Sequence, residues 1–127
     1  MILGIGFDLV EIERVSRIYK RSPRILQTFL TNKEKVYFDQ IMNEHRKFEW
    51  LAGRFSAKEA TIKAISSGLG ILVKFTDIEI LYDELGRPTI CLTDEVESKF
   101  LFQVNWNLSI THTKTTAGAF VIIEKIL

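Results

Sequence analysis

The chain opens with an apolar segment that two glycines interrupt. Aliphatic and aromatic residues fill most positions from 2 to 12, and Gly4 and Gly6 lie among them. This pattern predicts a first strand whose backbone approaches a neighbouring element closely at the glycines. Asp8 lies inside the strand, where an ionised carboxylate is costly unless it is paired, hydrogen-bonded or bound to a metal. Two roles therefore stay open for Asp8: a structural one, with an N–H group or an arginine as partner, and a metal-binding or catalytic one.

Helices are predicted to follow the first strand. The segment that begins at Arg14 is expected to form short helices, because Pro23 interrupts one continuous helix. Thr31 and Glu34 have the spacing of a capping box, which predicts a helix from about residue 31 to residue 42. Apolar residues then recur near helical spacing from 44 to 66 without a proline. This region is predicted to be the longest helix, and the glycine-containing segment 66–70 is predicted to end it.

The second half of the chain is dominated by strand patterns. Residues from 104 to 112 alternate strictly between apolar and polar, which is typical of a half-buried strand. The predicted elements are a hairpin of Thr76–Tyr82 and Pro88–Leu92, a helix that Thr93 caps and that runs to about Phe102, and strands Val104–His112 and Ala117–Glu124. Strands at both ends with helices between them indicate an α+β fold, and without a linker or repeat the prediction is a single domain over residues 1–127.

Composition narrows the class of protein. The 127 residues are 46% hydrophobic and 26% charged, which suits one globular domain. The single cysteine, Cys91, excludes an intramolecular disulfide and a cysteine zinc site, so a cytoplasmic location is the expectation. No apolar stretch approaches the roughly 20 residues of a membrane span, and the N-terminus does not resemble a secretory signal.

The charge is unevenly distributed. A net charge of +1 does not favour nucleic-acid binding, but Arg14 to Lys33 contains six bases and no acid. This basic segment has two interpretations. It is either a solvated surface whose carboxylate partners come from elsewhere in the fold, or a binding surface for a phosphate or an acidic protein.

Several residues are candidates for chemistry, each with a structural alternative. Phe55, Glu59 and Lys63 share one face of the predicted long helix, although a glutamate four residues before a lysine is also a common surface ion pair. His112 lies at the end of a predicted strand, where it is either scaffolding or part of a site. Gly68 and Gly70 could approach a phosphate or simply end the helix. Two carboxylates with a lysine, arginines and a histidine suit a magnesium-assisted reaction at a phosphate.

Three segments together resemble the holo-acyl-carrier-protein synthases, the small bacterial 4′-phosphopantetheinyl transferases. They are Gly4-Ile-Gly-Phe-Asp8-Leu-Val-Glu-Ile-Glu-Arg14, Leu51-Ala-Gly-Arg-Phe-Ser-Ala-Lys-Glu59-Ala-Thr-Ile-Lys63-Ala and Ser109-Ile-Thr-His112-Thr-Lys114. The resemblance covers essentially the whole chain. It implies a mainly antiparallel sheet packed on a long helix, and Mg²⁺-dependent transfer of the 4′-phosphopantetheine arm of coenzyme A to a serine of apo acyl carrier protein, with release of adenosine 3′,5′-bisphosphate. It also implies a role in fatty acid biosynthesis and a homotrimer with a site at each subunit interface.

The resemblance assigns expected roles to individual residues. Asp8 and Glu59 would bind the metal, Lys63 would lie against the diphosphate, and the serine proton would go to Glu59 or to a water molecule on the metal. The residues expected to bind coenzyme A are Arg46, Lys47, Arg54, Lys63, Gly68, Gly70, His112 and Thr113. Those expected to contact the carrier protein are Arg14, Arg21, Arg24 and Phe55. Ser66 replaces a frequent family glycine, and His45 stands where a stronger base is common.

Two other functions remain compatible with these residues. A non-catalytic module could bind an acidic protein or a phosphate through the basic segment, and it would need neither Asp8 nor Glu59. A magnesium phosphohydrolase would use the same metal ligands with water as the nucleophile.

Overall fold

The computed structural model describes residues 1–126. Its elements follow the predicted order. They are β1 (Ile2–Glu11), α1 (Ile12–Arg21), a 3₁₀ turn (Pro23–Ile25), α2 (Leu26–Phe29), α3 (Asn32–Gln40), α4 (Glu44–Leu69), a second 3₁₀ turn (Phe75–Asp77), β2 (Ile78–Tyr82), β3 (Pro88–Leu92), α5 (Asp94–Glu97), β4 (Val104–His112) and β5 (Thr116–Lys125). Among the described residues, none of the helices combines the length and the apolar composition that crossing a membrane requires.

The strands form two antiparallel sheets. The larger sheet has the order β1-β5-β4, and the smaller one is the hairpin of β2 and β3. In the larger sheet Asp8 is opposite Ala119, and Ala119 is opposite Ile110 of β4. The predicted α+β class, with antiparallel sheets and a long helix, is confirmed.

Helix α4 crosses the larger sheet. Its second half lies so close to β1 that a Cβ atom on Gly6 would overlap the carbonyl oxygen of Ala60. Its first half lies over β4, where Gly53 faces the side chain of Ile110. The prediction of a close approach at the glycines of β1 is therefore confirmed, and α4 is placed to carry side chains to both edges of the sheet.

A buried ion pair joins α4 to α3. The ammonium of Lys58 donates to Glu34 Oε1 at 2.6 Å and to the carbonyl oxygens of Phe29 at 2.7 Å and Phe75 at 3.1 Å, and both charged side chains are fully buried. Glu34 Oε2 also accepts from the backbone N–H of Ile80 in β2. Glu34 completes the predicted capping box with Thr31 as well, so one carboxylate fixes the start of α3 and links three elements.

Two predicted helix limits need correction. The helix that Thr93 was expected to cap does not reach Phe102, because α5 ends at Glu97. The hydroxyl of Thr93 makes no cap; it donates to Asp77 Oδ1 at 3.4 Å instead. The chain then leaves the helix and brings Phe100 against Trp106, with ring centroids 6.3 Å apart, so tertiary packing overrides the local signal. Helix α3 ends at Gln40, two residues earlier than predicted.

Candidate active site

Alternation along β1 directs Asp8 toward α4. Gly4, Gly6 and Asp8 occupy alternate positions, so all three face the helix. The two glycines let the helix approach β1. Ala60 contacts the part of β1 that contains the glycines, and Glu59 and Lys63 lie before and after Ala60 along the helix. The structure thus brings Asp8, Glu59 and Lys63 together; helical spacing predicted that Glu59 and Lys63 share a face, and the family resemblance implied that Asp8 lies with them.

The two oxygens of Asp8 have different surroundings. Lys63 Nζ donates to Asp8 Oδ1 and to the carbonyl oxygen of Phe7, each at 3.1 Å. Asp8 Oδ2 is buried and has no hydrogen-bond partner. A buried carboxylate oxygen without a partner is costly, so this atom is available to a ligand.

The carboxyl of Glu59 holds its proton more tightly than an ordinary glutamate. Burial raises the pKa of Glu59, and the nearby carboxylate of Asp8 raises it further, while Lys63 opposes both effects. The site therefore has an excess of negative charge that one lysine does not neutralise.

These features fit a magnesium ion. A cation between Asp8 and Glu59 would satisfy Asp8 Oδ2 and relieve the repulsion that raises the pKa of Glu59. Within residues 1–126 no group of three or more histidine, cysteine or carboxylate side chains is arranged to hold a metal. Magnesium commonly takes one or two carboxylates and completes its coordination with water and substrate phosphate oxygens, so two protein ligands suffice.

An apolar cavity of about 320 Å³ opens beside this carboxylate pair. Asp8, Glu59, Arg14 and Phe55 all contribute to its lining. Much of its wall is aromatic, because the ring centroids of Phe29, Phe55 and Phe75 lie within 5.8 to 6.1 Å of one another. The cavity can accept an apolar group directly next to the acidic residues.

The basic segment surrounds one side of this cavity. Arg14 lines it, and Arg21 and Arg24 are exposed on α1 and on the first 3₁₀ turn. Lys20 pairs with Glu44 at 3.1 Å, but no carboxylate of residues 1–126 pairs with these three arginines. Among the described residues, a carboxylate from elsewhere in the fold therefore neutralises the basic segment only at Lys20.

A second cluster of predicted site residues lies at the other end of α4. Arg46, Arg54 and His112 line a cavity of about 290 Å³. Arg54 is 3% exposed, and its guanidinium lies between the rings of Trp50 and Tyr82, 4.8 and 4.9 Å from their centroids. Arg54 Nε is buried without a hydrogen-bond partner. No carboxylate of the described chain forms an ion pair with Arg54, so this cavity suits an anion.

The remaining candidates have local structural roles. Lys47 Nζ lies 4.6 Å above the ring of Phe38, and Thr113 Oγ1 accepts from the N–H groups of Thr115 and Thr116 in the turn between β4 and β5. Gly68 packs against the backbone of β1, and Gly70 ends α4 with a φ of 66°. The N–H of Gly70 donates to the carbonyl of Ser66, so the capping alternative for this glycine holds.

The two clusters are not joined within one chain. Glu59 and Glu49, which lines the second cavity, are ten residues apart on α4, or about 15 Å along the helix axis. Sequence reasoning did not identify Glu49, Trp50 or Tyr82 as cavity residues. The spacing of His45 and Glu49 could have indicated that they are in contact, because side chains four residues apart meet on a helix. Tyr82 comes from the hairpin, and only the tertiary fold brings it there.

Comparison with known proteins gives a consistent result. Residues 4–118 match the model of the 4′-phosphopantetheinyl transferase superfamily. A holo-[acyl-carrier-protein] synthase of Staphylococcus saprophyticus is 46% identical over 124 residues, covering 98% of this chain and 99% of that protein. Two solved structures of such synthases superpose on the fold. One, from Bacillus anthracis in complex with CoA (3′,5′-ADP), has a TM-score of 0.81 and 34% identity and covers 99% of both chains. The other, from Neisseria meningitidis, has a TM-score of 0.84 and 35% identity, covering 98% of this chain and 100% of that one.

Proposed function

Because this chain belongs to the 4′-phosphopantetheinyl transferase superfamily and, within it, to the holo-[acyl-carrier-protein] synthases, we propose that it transfers the 4′-phosphopantetheine arm of coenzyme A to a serine of apo acyl carrier protein. The observation that carries this proposal is the pair of Asp8 and Glu59 carboxylates beside Lys63 at an apolar cavity. Coenzyme A as the donor is supported by the complex of the Bacillus anthracis relative. Membership of this enzyme family favours transfer over the non-catalytic binding module.

The protein's side chains divide the chemistry between them. Asp8 and Glu59 would hold Mg²⁺, which would neutralise charge on the diphosphate. The serine oxygen bonds to the β-phosphorus while the bond from that phosphorus to the bridging oxygen breaks, which releases adenosine 3′,5′-bisphosphate. Lys63 stabilises the charge that develops on the departing phosphate. The serine proton would pass to Glu59 or to a water molecule on the metal.

The nucleotide end of coenzyme A is assigned to the second cluster. Arg46, Arg54 and His112 offer positive or hydrogen-bonding groups around one cavity. Lys47, Thr113, Gly68 and Gly70 do not line this cavity but remain proposed contacts of coenzyme A. Since the two clusters are about 15 Å apart along α4, one composite site could combine the Asp8 cluster of one chain with the Arg46 cluster of another. This arrangement is compatible with the proposed homotrimer.

An exposed apolar face also supports association between copies. Ile5, Phe7 and Leu9 of β1 are each more than half exposed on the face of the sheet opposite α4, and Phe120 of β5 adjoins Phe7. Contiguous apolar surface of this kind is typical of a protein interface. Leu9 also lines the cavity beside Asp8, so the apolar face continues to the proposed site.

The carrier protein is proposed to dock on the basic segment. Arg14, Arg21 and Arg24 provide positive charge for an acidic protein surface, and Phe55 provides an apolar contact in the adjoining cavity. Charge complementarity of this kind mainly accelerates encounter and fixes orientation. The proposed location is the cytoplasm, because the lone Cys91 is a free and exposed thiol. The proposed pathway is fatty acid biosynthesis.

The test is intact-mass analysis of apo acyl carrier protein incubated with this protein, coenzyme A and Mg²⁺. We expect a mass gain of about 340 Da that EDTA and the Asp8→Ala variant abolish. Asp39→Ala serves as the matched control, because Asp39 is an exposed carboxylate on α3 outside both cavities. A gain that persists with Asp8→Ala contradicts the site. No gain with several carriers, together with hydrolysis of coenzyme A in their absence, would favour the phosphohydrolase.

A further inference from the structure

One carboxylate in the second cavity lies between two histidines. Glu49 Oε2 is 3.0 Å from His45 Nε2 and 3.5 Å from His112 Nδ1. Glu49 and His45 are one turn apart on α4, whereas His112 comes from the end of β4. The Glu49 side chain is 18% exposed, and both histidine side chains are more than half exposed. The carboxylate is thus the enclosed member of the group and connects the helix to the strand.

The surroundings of the His112 ring define which nitrogen carries hydrogen. Besides Glu49 Oε2, the carbonyl oxygen of Thr113 lies 3.3 Å from His112 Nδ1. Both neighbours are acceptors only, so the arrangement favours a proton on Nδ1. The other nitrogen, Nε2, is then left for a ligand in the cavity that Arg46 and Arg54 also line.

A negative charge at Glu49 is unexpected in a cavity that suits an anion. It is the single carboxylate among the described residues that line the cavity, next to two arginines and His112. A carboxylate there would repel the phosphate groups of the proposed nucleotide. Its geometry indicates that it acts on the imidazoles instead.

We propose that Glu49 is a positioning residue that holds His112 in the Nδ1–H form with Nε2 facing the nucleotide cavity. His45 holds Glu49 from the opposite side. The inference rests on the proposed function insofar as the cavity takes the phosphate-bearing nucleotide of coenzyme A. The pairing itself can be tested without any substrate.

The first experiment reads the imidazole directly. Two-bond ¹H–¹⁵N correlation spectra of the full-length protein distinguish the two neutral forms of a histidine, and the chain has only 2 histidines, which His45→Ala assigns. At about pH 8.5, where an ordinary histidine is neutral, we expect His112 in the Nδ1–H form. Glu49→Ala should shift it toward the Nε2–H form, whereas Glu49→Gln keeps an acceptor and should preserve it. An Nε2–H form in the unmodified protein, or no response to Glu49→Ala, overturns the proposal.

The second experiment reads the consequence for the reaction. Glu49→Ala should raise KM for coenzyme A about tenfold and leave kcat within about twofold, while Glu49→Gln stays near the original value. In a His112→Ala background, Glu49→Ala should add no further loss. Glu44→Ala is the matched control, since Glu44 is an ion-paired glutamate on the same helix outside this cavity.

The two experiments separate the possible failures. Independent, additive losses for Glu49→Ala and His112→Ala would overturn the positioning role. A changed tautomer with an unchanged KM would overturn it as well. Absence of transfer by the unmodified protein would instead contradict the proposed function, and the spectra would still decide whether Glu49 controls His112.

Discussion

Lys63 Nζ lies 3.1 Å from Asp8 Oδ1, while Asp8 Oδ2 is buried without a partner. The lysine thus neutralises one side of the carboxylate and leaves the other side for a cation. Lys63 is also 53% exposed, so it can turn toward a phosphate without losing a buried position. In the proposed site, Lys63 would therefore repel the metal by its charge while it binds the substrate phosphate.

Removal of the lysine is predicted to slow the reaction and to strengthen metal binding. In Lys63→Met we expect kcat to fall about 100-fold, because the departing phosphate loses a positive partner. The Mg²⁺ concentration for half-maximal rate should fall as well, because the lysine charge no longer repels the cation. Initial rates over a magnesium series at saturating coenzyme A measure both quantities. The control is Lys99→Met, an exposed lysine that does not line the cavity beside Asp8. An unchanged kcat would show that Lys63 has no role in the reaction.

The raised pKa of Glu59 predicts how activity changes on the acidic side of the pH profile. Burial and then Asp8 raise the pKa of Glu59, so the carboxylate that binds metal and accepts a proton is lost at a higher pH than for an ordinary glutamate. Activity should fall as pH drops through this raised value. More Mg²⁺ should move the fall to lower pH, because a cation favours the ionised form. At pH values above this fall, Glu59→Gln should lose at least 100-fold in kcat. A profile that is independent of magnesium would contradict this view.

The same pKa shift predicts a gain in stability when Glu59 is replaced. Because its pKa is raised in the folded protein, Glu59 favours folding only while it is protonated, and this contribution is lost as pH rises through the folded-state pKa. At neutral pH the ionised carboxylate therefore costs stability, and Glu59→Gln should raise Tm. At pH values below the ordinary range of a glutamate the difference should vanish. Thermal unfolding of both proteins across this range, without metal, is the measurement.

The close contact between β1 and α4 predicts a large effect of a single methyl group. Gly6→Ala would place its Cβ against the backbone carbonyl of Ala60, which cannot move without shifting the helix. We expect a loss of several kcal/mol in the free energy of unfolding, about 3 or more, and a weakened metal site, since Asp8 and Glu59 would separate. Gly53→Ala is the control, because its Cβ would meet only the flexible side chain of Ile110, at 3.1 Å. Equal urea-unfolding curves for the two variants would contradict this account.

Local patterns predicted most of the fold, whereas the family resemblance assigned the centre of the site. An apolar run broken by glycines placed Asp8 on β1, helical spacing placed Glu59 and Lys63 on one face of α4, and Thr31 with Glu34 marked the start of α3. All of these signals depend on neighbours within about one turn or one strand. Such signals are strong because a few residues determine them.

Features that depend on distant parts of the chain were beyond such patterns. Tyr82 contacts Arg54 only because the hairpin folds back on α4. Lys58 donates to the carbonyl oxygen of Phe75, seventeen residues away in the sequence. The early end of α5 has the same origin, because Phe100 leaves the helix to pack on Trp106. In each case tertiary contact, rather than local preference, decides the position of the side chain.

The buried Lys58–Glu34 pair predicts a strong asymmetry between buried and exposed ion pairs. Burial lowers the pKa of Lys58, and Glu34 opposes this by stabilising the ammonium. Lys58→Met would leave the Glu34 carboxylate buried and unpaired, so we expect a loss of about 3–5 kcal/mol in the free energy of unfolding. Lys20→Met removes an exposed pair with Glu44 and should cost at most about 1 kcal/mol. Adding Glu34→Gln to Lys58→Met should recover part of the loss, and similar urea midpoints for the two single variants would contradict the prediction.

The exposed apolar face of the sheet predicts that activity requires association. Phe7 lies on this face, with its ring centroid 6.0 Å from that of Phe120. Phe7→Glu would place a charge in the proposed interface, so sedimentation should change from trimer to monomer and transfer should be lost. The control Leu72→Glu alters another exposed apolar residue, outside the sheets, and should change neither.

Co-expression of two inactive variants provides the sharper test of a shared site. Asp8→Ala damages the carboxylate pair, and Arg46→Glu damages the second cluster. If each site combines one cluster from each of two chains, about a quarter of the sites in randomly mixed trimers contain both intact clusters. Activity should therefore reappear in the mixture although each variant alone is inactive. If both clusters act within the same chain, mixing cannot restore any site, and an inactive mixture of confirmed trimers would show that the chain works alone.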